Sequence, residues 1–411
     1  MAANPSAGRD APSLGGLNPG LPELRKNPYP IYHMLRTASP ILQPEAGMWV
    51  LTRYDDGDAV LLDKRFATVD LSRLGRAGNL PPTEVLKSAR EVMGLTMLFM
   101  DPPGHGRIRG LVGKAFSPRM VDSLRPRIEQ IAAELLSHFN SSREIDLIGE
   151  FAYPLPVIVI AEMLGVPAQD RELFRRWASN LAPLIDFVQD MAVVQRAMDS
   201  MAEVRDYLSK IVEERRRNPT DDLISALTQA EVQGDRLTTQ EMLANIVLLL
   251  VAGHETTANL IGNGMRALLE NRGELERLQK DPGLIGGTVE EALRYDSPIQ
   301  ATGRRANEDA DIAGTKIHKG DHAVVLIGAC NRDPARFPDP DRFDITRANN
   351  EHLAFGGGIH YCLGSNLARL EARTAIGALV RTYPKIELAG GPLEIRDMFN
   401  VRGLKALPVL V

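Results

Sequence analysis

One segment limits the folds open to this chain more than any other. Thr238-Thr239-Gln240-Glu241 has the spacing of a capping box, with Glu241 three residues after Thr238. It opens a run that stays helix-compatible to about Arg272. That is far longer than the ~11–12 residues of an average globular helix. Its centre is apolar nearly all round, which predicts burial. The longest strongly apolar run, Ile246 to Ala252, is far too short to span a bilayer. Helical periodicity dominates from about residue 120 to 295. Within 120–139, Val121, Leu124, Ile128, Ile131, Leu135 and Phe139 share one face, and Pro126 is expected near a helix start or kink. Residues 49–56 read as a short strand followed by a helix start. From 296 onward short strand-like pieces alternate with turns, as in 315–329, and a last helix follows Cys362. The expectation is a mainly α protein with a smaller β part. Residues 1–20, rich in Pro and Gly, are expected to form a flexible arm, and 21–411 a single domain.

Bulk properties exclude several roles. The 411 residues carry 48 basic and 53 acidic side chains, a net charge of −5, so no basic surplus points to nucleic acid or an anionic membrane. Two cysteines, Cys330 and Cys362, make no disulfide framework, which fits a reducing, cytoplasmic setting. The first twenty residues have neither the charged nor the apolar region of a signal peptide.

Cys362 sits in AFGGGIHYCLG, residues 354–364. Gly356, Gly357 and Gly358 permit backbone shapes and close approaches that side chains forbid. Leu363, Leu367 and Leu370 then share a helical face, so Cys362 is expected at a helix N-terminus, where a thiolate is favoured over a thiol. A nucleophile would need a base and an orienting partner. A zinc site would need more ligands than His352, His360 and Cys362 supply. A buried, inert cysteine capping the turn fits these residues equally well.

The full pattern Phe355-Gly356-x-Gly358-x-His360-x-Cys362-x-Gly364 resembles the haem-thiolate loop of the cytochrome P450 family. The resemblance implies that Cys362 is the axial ligand of haem b iron. Phe355, Gly356 and Gly364 would shape the loop around it. The fold implied is that of the family, with haem buried between a long oxygen-binding helix and the helix after the cysteine loop. AGHETT at 252–257 resembles the acid–alcohol stretch of the oxygen-binding helix. By local rules it is a poor helix centre, because Gly253 costs roughly 1 kcal/mol against Ala and a threonine hydroxyl can bond the carbonyl four residues back. By resemblance Glu255 and Thr256 deliver protons, and Ala252 lies against the cofactor.

Other segments resemble the family in order along the chain. DPPGHGRIRG places His105 and Arg109 one turn apart, and both would bind haem propionates. Arg304, with Arg305 one residue away as the alternative, and His360 would be further propionate partners. Glu291 and Arg294 match the family's Glu–Arg pair, and Arg342 lies in the Pro-x-Arg-Phe segment that holds its usual third partner; these three would be structural. The substrate pocket is expected to take residues from the variable segments 69–98, 181–194 and 299–302. Leu95, Leu98, Leu184, Ala252, Ile299 and Phe399 are the named candidates.

The activity implied is a monooxygenase that places one atom of O2 into a small apolar organic substrate, with hydroxylation or epoxidation as the outcome. Bacterial secondary metabolism, or oxidation of steroids, terpenoids or macrolides, is the setting the resemblance favours. No Gly-rich dinucleotide fingerprint follows a strand, so electrons are expected from an external ferredoxin-type donor with its reductase. Lys114, Arg119, Arg369 and Arg373 are candidate docking cations on the cysteine side. A monomer without membrane or nucleic-acid partners is expected. A peroxide-driven peroxygenase would leave the Glu255–Thr256 pair without a use. A non-catalytic haem sensor would leave Thr256 and the apolar segments unexplained.

Overall fold

The computed structural model describes residues 22–69, 84–141, 144–186, 190–232 and 234–411. The arm expected at 1–20 lies outside them, as do parts of the pocket segments at 70–83 and 187–189.

The long helix forms as one piece, Thr239–Glu270. Thr238 accepts from the Glu241 amide and Glu241 accepts from the Thr238 amide, so both halves of the capping box are made. Helices Pro154–Met163, Met191–Arg217, Ile285–Tyr295 and Ser365–Thr382 pack around it. By length and composition alone this helix could cross a membrane, yet 72% of its most apolar window is buried within the protein. It is the core axis, and Ile246, Leu250, Ile261, Met265 and Leu268 on it are fully buried.

The β part is smaller and sits to one side. Strands Ile41–Glu45, Met48–Leu51, His322–Val325, Thr302–Ala306 and Phe66–Ala67 form a sheet in that order. Met48–Leu51 runs parallel to His322–Val325; the other neighbours are antiparallel. The strand expected at 49–56 ends at Leu51, because the next helix starts at Tyr54. That helix borrows its cap from far away: the Tyr54 amide donates to Asp333 at 2.9 Å. The amphipathic run 120–139 divides into Pro118–Ser123 and Arg125–Ser137, with Pro126 in the first turn of the second helix.

Two buried ionic networks pin the second half of the chain. In the first, Arg294 donates to both oxygens of Glu291 at 2.8 Å, and both side chains are fully buried. Arg294 spends its other N–H groups on the carbonyls of Asn331, Pro340 and Arg342. The third side chain is Arg347, whose Nε lies 3.2 Å from each Glu291 oxygen. The assignment of Arg342 is thereby corrected. Its guanidinium is 59% exposed and faces Asp344, and only its backbone carbonyl enters the network.

In the second network Asp296 accepts from Tyr29 and from Arg402, each at 2.7 Å, with Arg266 at 3.3 Å. Arg332 stacks between the rings of Tyr29 and Tyr295, 3.5 and 3.8 Å from their centroids. Burial alone would raise the Asp296 carboxyl, but the Arg402 and Arg266 charges more than reverse it, down to about 2. The folded value is therefore below the unfolded one. The stability it contributes is present above about pH 4 and is lost as pH falls toward 2. Asp296→Asn is expected to cost about 3 kcal/mol or more at pH 7 and to flatten the acid limb of stability, which thermal unfolding from pH 2 to 7 reads directly.

Candidate functional site

The cysteine loop is shaped by its glycines. Gly356 and Gly358 have φ of +69° and +64°, where a β-carbon is strained. At Gly358 a β-carbon would also come 2.4 Å from the Leu61 carbonyl oxygen, so the loop closes on the end of helix Tyr54–Leu62 only because the residue is glycine. The Cys362 amide donates to the Phe355 carbonyl at 2.9 Å and fixes the thiol side of the loop. Arg369 braces it from the following helix: its guanidinium lies over the Phe355 ring at 4.5 Å and grips Glu290 through two bonds of 2.8 and 2.9 Å.

The thiol itself departs from the sequence expectation. The helix begins at Ser365 with Gly364 as its cap, so Cys362 stands outside the first turn. Burial pushes the thiol up, and the Gly364 amide, Arg109 and Arg369 only partly offset this. The dipole argument fails here because desolvation outweighs it. Burial thus favours the thiol form, and a bound metal cation would favour the thiolate. Among the described residues no three of His, Cys, Asp and Glu converge on a common point, so Cys362 offers a single protein ligand.

Beside the loop lies a cluster of nitrogen donors with only Asp101 near enough to oppose their charge. His105 is buried on helix Gly104–Ala115, and its ring centroid is 4.4 Å from that of His360. The Nε2 atoms of both are buried and unpartnered. Arg304, buried on its strand, and Arg109 face the same place. His360 is driven down to about 3 by burial and by the Arg304, His105 and Arg109 charges. Arg304 is itself lowered by burial, with only Asp101 opposing. Strand alternation separates Arg304 from Arg305, which turns outward to Asn307 at 3.1 Å. Four nitrogen-bearing side chains gathered round buried, unsatisfied atoms fit a dianionic group such as the two propionates of a haem. The residues present thus fit the cofactor that the loop implies.

Across the interior, the long helix opens on one stripe. Leu248, Leu249, Ala252, Gly253 and Thr256 retain accessible surface in the middle of an otherwise buried segment. Their spacing puts them on neighbouring turns of one face. A β-carbon on Gly253 would meet nothing within 4 Å, which marks open space there. The helix stays continuous through AGHETT; the Thr256 and Thr257 hydroxyls donate to the Ala252 and Gly253 carbonyls at 2.7 and 2.8 Å. Leu248 and Leu249 were not legible as cavity residues, since within an apolar run nothing distinguishes a core wall from a cavity wall.

Glu255 points away from solvent, with its side chain 1% exposed. Arg396 lies 2.6 Å from one carboxylate oxygen and His254 Nε2 lies 3.4 Å from the other. The Arg396 contact is a close ion pair, and the His254 contact is a longer polar one. Burial raises the Glu255 carboxyl, but His254 and Arg396 together hold it below the usual range. His254 and Arg396 were missed by sequence reasoning.

The pocket candidates divide. Leu95, Leu184 and Ile299 are half-buried, and Leu98 is exposed at 37%. Phe399 is buried in the cluster that also holds Tyr32, Ala301, Val324 and Ala329. The docking candidates divide too. Lys114 is engaged by the Glu231 carbonyl and Arg369 by Glu290, whereas Arg119 is exposed and Arg373 reaches Glu290 only at 3.4 Å. Around the loop, Leu62, Ile359 and Tyr361 are 57%, 49% and 40% exposed, and the Tyr361 hydroxyl lies 3.3 Å from Arg369.

A glycine-shaped cysteine loop, a neighbouring cluster of two arginines and two histidines, and a Glu–Thr pair on a helix with open space beside it match the motifs and order of one family. The family description "Cytochrome P450" matches residues 59–282 and 283–398. The chain is 45% identical to cytochrome P450 107B1 of Saccharopolyspora erythraea, over 88% of each protein. It is 43% identical to the cytochrome P450 monooxygenase PikC of Streptomyces venezuelae, over 93% of this chain and 91% of that one. The crystal structure of P450BioI in complex with acyl carrier protein ligated to hexadec-9Z-enoic acid superposes with a TM-score of 0.88 at 40% identity, covering 95% of this chain and 99% of that one. The chain belongs to the cytochrome P450 family and is a monooxygenase of the bacterial kind.

Proposed function

We propose that this protein binds haem b through Cys362 and oxidises a bulky apolar organic substrate, with electrons from an external ferredoxin-type donor and its reductase. The observation that carries the reading is the cluster of His105, Arg109, Arg304 and His360 beside the cysteine loop, whose two imidazole Nε2 atoms are buried without a partner and which has only the Asp101 charge to set against two arginines. When bound, the haem iron supplies the activation of O2, one atom of which enters the substrate while the other leaves as water.

The chain's residues do the rest. His105, Arg109, Arg304 and His360 hold the propionates. The Gly364 amide, which favours charge on the sulfur, would tune its electron donation. Leu248, Leu249 and Ala252 give the cavity wall an aliphatic lining that excludes water and favours aliphatic substrates. Thr256 parks its hydroxyl on the Ala252 carbonyl, and a rotation about its side chain turns that O–H toward the cavity. Glu255, one residue away, supplies the next proton. A similar protein of Bacillus subtilis named polyketide biosynthesis cytochrome P450 PksS, and P450BioI with its hexadecenoyl carrier protein, make polyketide- or fatty-acyl-derived molecules the substrate class to test first. The exposed Leu62, Ile359 and Tyr361, with Arg119 and Arg373 near the cysteine side, suit a weakly bound acidic electron carrier. A cytoplasmic monomer accords with the two unpaired cysteines.

Thr256→Ala is expected to leave NADPH oxidation running while product per NADPH falls roughly tenfold, and Glu255→Gln to slow turnover roughly 100-fold. Product and NADPH measured side by side in a reconstituted system check both. Unchanged coupling and rate in both variants, or full product formation from hydrogen peroxide alone, would sink the reading.

A further inference from the structure

Glu255 is too buried to take protons from water directly, yet a chain of hydroxyl and imidazole groups leads from it to the surface. His254 is fully buried, and its Nδ1 lies 2.8 Å from the Leu250 carbonyl. A carbonyl only accepts, so Nδ1 carries a proton and Nε2 is the nitrogen free to gain and lose one. Nε2 lies 3.4 Å from the Tyr153 hydroxyl and 3.4 Å from Glu255 Oε2. The Tyr153 and His254 rings meet edge-on with centroids 5.5 Å apart, so the pair is fixed by packing as well. Tyr153 is nearly buried, and the exposed Ser179 lies close enough to bear on its phenol.

We propose that Ser179, Tyr153 and His254 form a proton line that feeds Glu255 from solvent. The inference rests on the monooxygenase reading above and names positioning and relay residues for it. The Tyr153 O–H bond breaks as its proton passes to His254 Nε2, while the Ser179 hydroxyl re-protonates the Tyr153 oxygen and is itself replenished by water. The imidazolium then gives its Nε2 proton to Glu255 Oε2 and returns to the neutral Nδ1–H form. One proton moves inward from solvent to Glu255, which ends as the carboxylic acid, while Ser179, Tyr153 and His254 end as they began. Burial and the nearby Glu255 charge push the Tyr153 phenol up to about 12, which is why the two hops at its oxygen must occur together. The charged groups facing this line are Glu255, Arg396 and Arg175. Arg396 lies 5.7 Å over the Tyr153 ring and pairs with Glu255, and Arg175 reaches the line only through its field at Tyr153. Arg396 keeps the carboxylate ionised and ready to accept.

Two measurements test this. In protein labelled with 15N at its 8 histidines, the resonances lost in His254→Gln identify His254. They should show an Nδ1–H tautomer whose Nε2 shifts on Tyr153→Phe. In turnover, Tyr153→Phe and His254→Gln should each lower kcat roughly tenfold, enlarge the solvent deuterium isotope effect and leave KM, haem content and thermal stability near wild type. Wild-type kcat and isotope effect in Tyr153→Phe, or an Nε2 resonance indifferent to that change, would overturn the line. Failure of the monooxygenase reading is distinguishable, because the wild-type protein would then make no product while the resonance test still stands or falls alone.

Discussion

Replacing Cys362 with alanine is expected to leave a folded protein that forms no product. The sulfur is held by loop backbone, through the Cys362 amide on the Phe355 carbonyl, and by no side-chain contact on which the core depends. The glycine geometry and the Arg369 brace remain in the variant. What disappears is the one protein ligand the site offers. Monooxygenation should fall to the limit of detection in the same reconstituted assay, while far-ultraviolet circular dichroism stays superimposable. A variant that keeps more than a small fraction of wild-type product would show that the thiol is an inert turn cysteine.

The second large effect is on folding. Glu291 accepts from Arg294, Arg347, Asn350 and the Asp344 amide at once, in a fully buried position. Glu291→Ala strips the counter-charge from a fully buried Arg294, a loss of about 3–5 kcal/mol. Such a loss is a large share of a marginal total. Little soluble, haem-loaded protein is expected at the growth temperature. Arg342→Ala, by contrast, removes an exposed side chain and should change stability by less than about 0.5 kcal/mol, whereas Arg347→Ala should fall between the two. Denaturant unfolding of the three variants ranks them. Equal effects at 342 and 347 would contradict the geometry.

That contrast shows where sequence reading reached its limit. A spaced motif marks a segment, and the segment did supply the partner: the carbonyls of Pro340 and Arg342 both accept from Arg294. Which arginine turns its side chain inward depends on backbone direction, and that is set by packing. The long helix was legible because capping, length and all-round apolarity agree over many residues. The cysteine loop was legible because its glycines serve a single close approach. What failed was the placement of Cys362 in the first turn of the helix, because the helix starts only at Ser365 and burial opposes charge on the metal-free sulfur. Tyr153 and Arg396 lie 101 and 141 residues from Glu255's neighbourhood in opposite directions along the chain, measured to His254 and Glu255, and nothing local announces them. Strand 48–51 ended early for the same kind of reason, since Asp333 caps the following helix from across the fold.

The central claim is that Cys362 ligates haem iron as a thiolate. The most direct measurement is the visible spectrum of the purified, dithionite-reduced protein under carbon monoxide. The account predicts a Soret band strongly shifted to the red, absent in Cys362→Ala. A haem-free protein, or an imidazole-type band that Cys362→Ala leaves unchanged, would contradict it.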